Sequence, residues 1–121
     1  MSALRVYTYA NCATCRRAVK WLRAHQLAFE ERPIREQPPT PAELCTMLAA
    51  HSGELRRLFN TSGRDYREQK LGAKLPGMDP TRALALLATK GNLVKRPFLL
   101  GQRVALTGFD EKAWAAALLQ Q

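Results

Sequence analysis

A chain of 121 residues suits one domain, residues 1–121, around one hydrophobic core. Its apolar fraction of 46% is ordinary for a globular protein, and it has no run of about 18 apolar residues, which argues against a membrane span. The formal charge of +9 favours anions and acidic partners, but the lysines and arginines are dispersed, with no dense basic tail that would call for direct nucleic-acid binding.

In chain order, "LRVYTY" (4–9) alternates and is rich in β-formers, so it reads as a strand. "ATCRRAVKWLRAH" (13–25) follows with helical spacing, Cys15, Ala18, Val19 and Leu22 falling on one face. Cys15 should therefore point to the core, with Cys12 before the first turn and nearer solvent. "LAFEERPI" (27–34) reads as a second strand, and strand–helix–strand order favours a parallel βαβ unit.

Thr40, Pro41 and Glu43 carry a capping box at the start of the next helix. Leu44, Met47, Leu48 and His51 share a face of it. Cys45, one position off that stripe, is expected to be a packing cysteine, and His51 half-buried packing more than a ligand. "ELRRLFN" (54–60) reads as a short helix, "TSGRDYREQKLG" as a polar turn with a weak helix, and "MDPTRALALLATKGN" as a helix capped by Asp79 and ended at Gly91. Phe98 to Leu100 and Val104 to Leu106 suggest a hairpin around "GQ", with Pro97 at a strand start. Asp110 should cap a last helix with Trp114, Ala117 and Leu118 on one face.

The Cys12–Cys15 pair carries the chemistry. The start "MSALRVYTYA" lacks an apolar stretch long enough for a secretory signal, so a cytoplasmic location is expected, where cysteines are normally reduced. There a CxxC pair points to metal binding or catalysis more than to a structural staple. A structural zinc site usually needs two close ligand pairs, and only one is present, so no metal is expected. Two ordinary helix-start cysteines remain an alternative. A reactive thiol fits better: the first cysteine stands at a helix N-terminus, where the dipole and free N–H groups favour a thiolate, and Arg16 and Arg17 add positive charge.

"YTYANCATCRRAVKWL" resembles the opening of the arsenate-reductase-like family, which includes the Spx-type redox regulators. "LFNTSGRDYRE" (58–68), "LVKRPFLL" (93–100) and "LTGFDEKAW" (106–114) match its further motifs in the same order. The resemblance implies an α/β, thioredoxin-like fold with a helical insertion and a mixed sheet of about four strands. It also implies a nucleophilic Cys12, an Arg96 that holds an anion, and a cis bond at Arg96–Pro97 beside the active-site cysteine. True arsenate reductases carry two further arginines where this chain has Asn60 and Leu106, and they lack a cysteine at the position of Cys15. The CxxC-bearing branches match better.

Two functions follow. One is a thiol–disulfide oxidoreductase, with Cys12 as nucleophile, Cys15 as resolving thiol, Arg96 stabilising anionic substrate or thiolate, and Asn11, Arg16, Asn60 and Pro97 lining the substrate site. Its substrate would be a small thiol or disulfide, with glutathione as co-substrate. The other is an Spx-type redox regulator that binds the RNA polymerase α subunit through a surface near Gly53. No nucleotide-loop or haem motif is present, so no bound cofactor is expected.

Overall fold

A computed structural model describes residues 4–119. In chain order the elements are β1 (Leu4–Thr8), α1 (Ala13–Ala24), β2 (Phe29–Pro33), α2 (Pro41–Ala50), α3 (Arg64–Glu68), α4 (Leu71–Lys74), α5 (Pro80–Thr89), β3 (Phe98–Leu100), β4 (Ala105–Thr107) and α6 (Glu111–Leu118). Single 3₁₀ turns occupy Leu55–Leu58, Leu75–Gly77 and Gly91–Leu93. These elements form two compact units: one joins the residues up to Pro33 with those from Arg96 onward, and the other is Ile34–Lys95.

The first unit holds a mixed four-stranded sheet in the order β2-β1-β3-β4. β1 runs parallel to β2, β3 antiparallel to β1, and β4 antiparallel to β3. This is the α/β arrangement expected of a thioredoxin-like fold. Central strands bury both faces: Val6 and Tyr7 are fully buried, and Tyr7 meets Phe98 edge-on at 5.8 Å. β2 lies at the edge, where its final Pro33 costs no ladder bond. The core of this unit gathers Val6, Ala18, Trp21, Leu22, Leu99 and Trp114, with Leu106 and Phe109 packed against it.

The hairpin differs from the expected one by a residue. Gly101 N–H donates to Val104 O at 2.9 Å, so Val104 belongs to the turn and pairing begins at Leu100↔Ala105. The apolar pattern could not place the turn, since Val104 packs against the core from outside the strand. On α6, Asp110 accepts the Lys112 N–H as expected of a cap, and Trp114 is buried. Ala117 is exposed; Ala115 takes the inward place beside Leu118.

The second unit is helical, as expected of an insertion. Glu43 N–H donates to Thr40 Oγ1 at 3.1 Å and Thr40 N–H to Glu43 Oε1 at 2.9 Å, closing the capping box. Leu44 and Met47 face inward, but Cys45 is exposed. The packing role expected of Cys45 is therefore wrong: one residue from Leu44 is a rotation of about 100°, enough to leave the narrow buried stripe. His51 ends the helix half-buried, its Nδ1–H donating to Met47 O at 2.9 Å. The weak helix after Ser62 is broken into α3 and α4 by Lys70, whose φ of 55° is left-handed. Asp79 stands at the N-cap of α5 without a side-chain capping bond.

Gly91 does more than end a helix. A Cβ there would lie 1.7 Å from the Ile34 carbonyl oxygen and 2.7 Å from its carbon. Both are backbone atoms and cannot swing away. Gly91→Ala should therefore destabilise by about 3 kcal/mol, the upper part of the overpacking range. Urea unfolding would read this as a lower midpoint at an unchanged slope; an unmoved midpoint would mean that the 34–35 backbone yields freely.

Candidate active site

Cys12 sits at the N-cap of α1, in extended backbone geometry (φ −98°, ψ 113°). Two bonds fix the loop before it. Cys12 N–H donates to Tyr9 O at 3.0 Å, and the Arg16 guanidinium donates to Ala10 O at 2.7 Å. Cys12 O accepts the first helical bond, from Arg16 N–H at 3.1 Å. The side chain thus stands where Ser, Thr or Asp would ordinarily cap a helix. Its Sγ accepts the Cys15 N–H at 3.2 Å.

The two thiols are set apart. Cys12 is half-buried and Cys15 only 1% exposed. Burial works against the Cys12 thiolate. It is outweighed by the hydrogen bond from the Cys15 thiol, the Cys15 N–H, the Arg96 charge and the Thr14 N–H, so the Cys12 pKa lies below the ordinary thiol value. For Cys15, burial comes first and the bond it gives to Cys12 second. Together with the Cys12 charge they push its thiol up to about 12, against the Tyr9 backbone and Arg96. Of the two thiols, Cys12 is the one that gives up its proton first, and Cys15 keeps its own.

Arg96 is half-buried just before β3, and its guanidinium stacks over the Tyr9 ring at 5.1 Å. The Arg96–Pro97 bond is cis, as the resemblance implied, and Pro97 is buried, its carbonyl accepting Gly108 N–H at 2.9 Å. Asn11 is exposed and its Nδ2 donates to the Tyr9 hydroxyl at 3.4 Å. Cys12, Cys15, Arg96, Asn11, Arg16 and Pro97 all belong to the first unit. Asn60 belongs to the second, where its N–H donates to Leu93 O at 2.7 Å and its side chain lies close over Gly63. Arg16 contributes to the site chiefly by tethering the loop at Ala10. Tyr9, which sequence reasoning passed over, binds Cys12 through its carbonyl, carries Arg96 on its ring and takes Asn11 on its hydroxyl. An aromatic residue directly before the cysteine loop was the available signal.

Among the described residues no three of His, Cys, Asp or Glu gather to hold a metal ion, and no helix is long and apolar enough to cross a membrane.

The model of the ArsC family matches residues 7–117. The chain belongs to the ArsC family. It is 41% identical over 109 residues to YusI of Bacillus subtilis (strain 168), covering 90% of this chain and 92% of that protein. It is 29% identical over 108 residues to the global transcriptional regulator Spx of Enterococcus faecalis, covering 89% and 80%. Among solved structures, an ArsC family related protein from Bacteroides fragilis superposes with a TM-score of 0.87 at 38% identity, covering 94% of this chain and 97% of that one. The relatives of this chain thus include a protein named as a regulator of transcription.

Proposed function

We propose that this ArsC-family chain is a thiol–disulfide oxidoreductase of a reducing compartment such as the cytoplasm. Cys12 is the nucleophile, Cys15 the resolving thiol and Arg96 the cation that holds the thiolate or an anionic substrate. The observation that carries this reading is the Cys12 Sγ at the α1 N-cap, accepting the Cys15 N–H at 3.2 Å above a buried partner thiol. The Cys12 thiolate attacks one sulfur of a substrate disulfide, and the other sulfur leaves as a thiolate that takes up a proton. Cys15 then gives up its proton and attacks Cys12 Sγ; the bond from Cys12 to the substrate sulfur breaks, and that sulfur leaves as a thiolate and takes up the proton. This leaves a 12–15 disulfide and a fully reduced substrate, two electrons having passed from the pair. Two molecules of a thiol such as glutathione would restore the dithiol.

Arsenate is a poor candidate substrate. A developing tetrahedral anion needs several fixed donors. One of the two missing arginine positions holds Leu106, packed against the apolar core of the first unit. A direct test supplies glutathione as reductant and compares hydroxyethyl disulfide with arsenate. Turnover of the disulfide alone supports the proposal, and efficient arsenate turnover would overturn the substrate assignment.

The Cys12 thiol should react with iodoacetamide at lower pH than an ordinary cysteine, because its pKa is lowered. The sign is that of an acid whose charged form is favoured: reactivity holds above the lowered pKa and fades as pH falls through it. Arg96→Gln should shift the profile to higher pH, since the Arg96 charge is one of the lowering influences. Peptide mapping at each pH reads this, and labelling of Cys15 before Cys12 would reverse the two roles.

A second reading is favoured by the relatives named Spx: a redox-switched regulator that binds the RNA polymerase α subunit. Gly53, left-handed at φ 79° after α2, has open space around it, so a partner could approach its backbone there. Capture of the α subunit by the oxidised or reduced chain, with no disulfide turnover, would favour this reading over the enzyme.

A further inference from the structure

The exposed face of α1 carries Arg16, Arg17, Lys20 and Arg23 and no acidic residue. At about 100° per residue, Arg23, Arg16 and Lys20 form one stripe along the helix, with Arg17 at its edge. The stripe starts beside Cys12, and Lys20 lies about 12 Å further along the axis at ~1.5 Å per residue. Arg16/Lys20, Arg17/Lys20 and Lys20/Arg23 are like-charge neighbours at four- and three-residue spacing, which repel one another in the free protein. Among the described residues none of the four forms an ion pair. Arg16 is turned onto the Ala10 carbonyl, Arg17 lies 5.9 Å from the Phe109 ring and Arg23 5.8 Å from the Phe29 ring.

Beside the stripe runs a groove of about 490 Å³, within the range of ligand sites. Arg17 and Lys20 form one wall, Asp110 and Glu111 the other, and Trp21 and Phe109 supply its apolar surface. Phe109 and Trp21 stand at 6.1 Å, ring to ring.

We propose that the α1 stripe and this groove form a docking track for an acidic polypeptide segment, with acidic side chains along Arg17, Lys20 and Arg23 and an apolar side chain in the groove. Charge complementarity argues for an acidic occupant, and the mixed walls argue for a polypeptide. A nucleic-acid strand carries a charge at every phosphate and would bring some against Asp110 and Glu111. A polypeptide can oppose those carboxylates with neutral or basic residues. Because the track begins at Cys12, the substrates are disulfides carried on acidic protein segments; that assignment of substrate rests on the oxidoreductase reading, whereas the docking itself does not.

The probe is a short fluorescein-labelled peptide that alternates glutamate with serine, holds one central leucine and lacks cysteine. Fluorescence anisotropy should show saturable binding to the full chain, weakened by added salt. The variant Arg17→Gln/Lys20→Gln/Arg23→Gln should bind about tenfold more weakly, as expected when steering charges are removed. Circular dichroism checks that the variant is folded. Arg17→Glu/Lys20→Glu should instead bind the matching lysine peptide, a reversal that misfolding cannot produce. Equal binding of the glutamate peptide by wild type and the triple variant would overturn the proposal. So would a single-stranded oligonucleotide that binds more tightly than the peptide and is the ligand the variant loses. The peptide has no sulfur, so its binding is independent of thiol chemistry. If Cys12 proves unreactive while the peptide still binds, the oxidoreductase reading fails and the docking track stands.

Discussion

Cys12→Ser should lower disulfide turnover at least a thousandfold, about the scale expected when a covalent nucleophile is removed. The hydroxyl of serine stays protonated at neutral pH and cannot form the mixed disulfide. The substitution should leave the fold intact, since serine is a preferred N-cap residue and its oxygen can accept the Cys15 N–H in place of Sγ. Loss of turnover should therefore come without loss of unfolding midpoint, measured on the same preparation. Retained activity would move the nucleophile to Cys15 or to Cys45, the exposed thiol on α2.

Cys15→Ser separates the two half-reactions. Attack by Cys12 remains, because its N–H donors and Arg96 are untouched and a serine hydroxyl can still donate to the thiolate. Resolution is lost, so oxidised glutathione should leave a stable Cys12–glutathione adduct where the wild type forms a 12–15 disulfide. The pairing is sterically reasonable for residues one turn apart at a helix start. Peptide mass mapping of both proteins decides it. A 12–45 bridge in the wild type, or no adduct on Cys12 in the variant, would remove Cys15 from the resolving role.

Much of this site was legible in the sequence because local rules place it. A strand, a short polar loop and an amphipathic helix put Cys12 at the N-cap and Cys15 one turn in, and periodicity alone assigned Cys15 to the core. Thr40 and Glu43 closed their box because every atom involved lies within one turn. Other features needed tertiary information. The place of Val104 in the turn depends on its packing from outside the strand. The role of Tyr9 depends on Arg96, which is brought from far along the chain to stack on its ring. Lys70 adopts a left-handed conformation without the glycine that would have announced a break. Cys45 was misjudged because free cysteines are so often buried that composition outweighed a helix position just off the apolar stripe.

Trp114→Ala should destabilise the protein by about 3–5 kcal/mol, the range for deleting a buried aromatic side chain. Trp114 is 1% exposed and meets Phe109 and Trp21 edge-on at 4.9 and 6.1 Å, so its removal takes away the contact that both rings share. It also carries a polar duty. Nε1–H donates to Gly108 O at 3.0 Å, and Gly108 is itself left-handed at φ 70°, in the turn that leads β4 into α6. Trp114→Phe keeps an aromatic ring in the same place and gives up only this bond and part of the volume. It should cost about 1–2 kcal/mol, near the worth of one hydrogen bond with a carbonyl left short of a donor. The ratio of the two losses, read from urea midpoints at constant slope, tells which contribution dominates. If phenylalanine costs as much as alanine, the hydrogen bond to the turn outweighs ring packing as the reason α6 closes on the sheet.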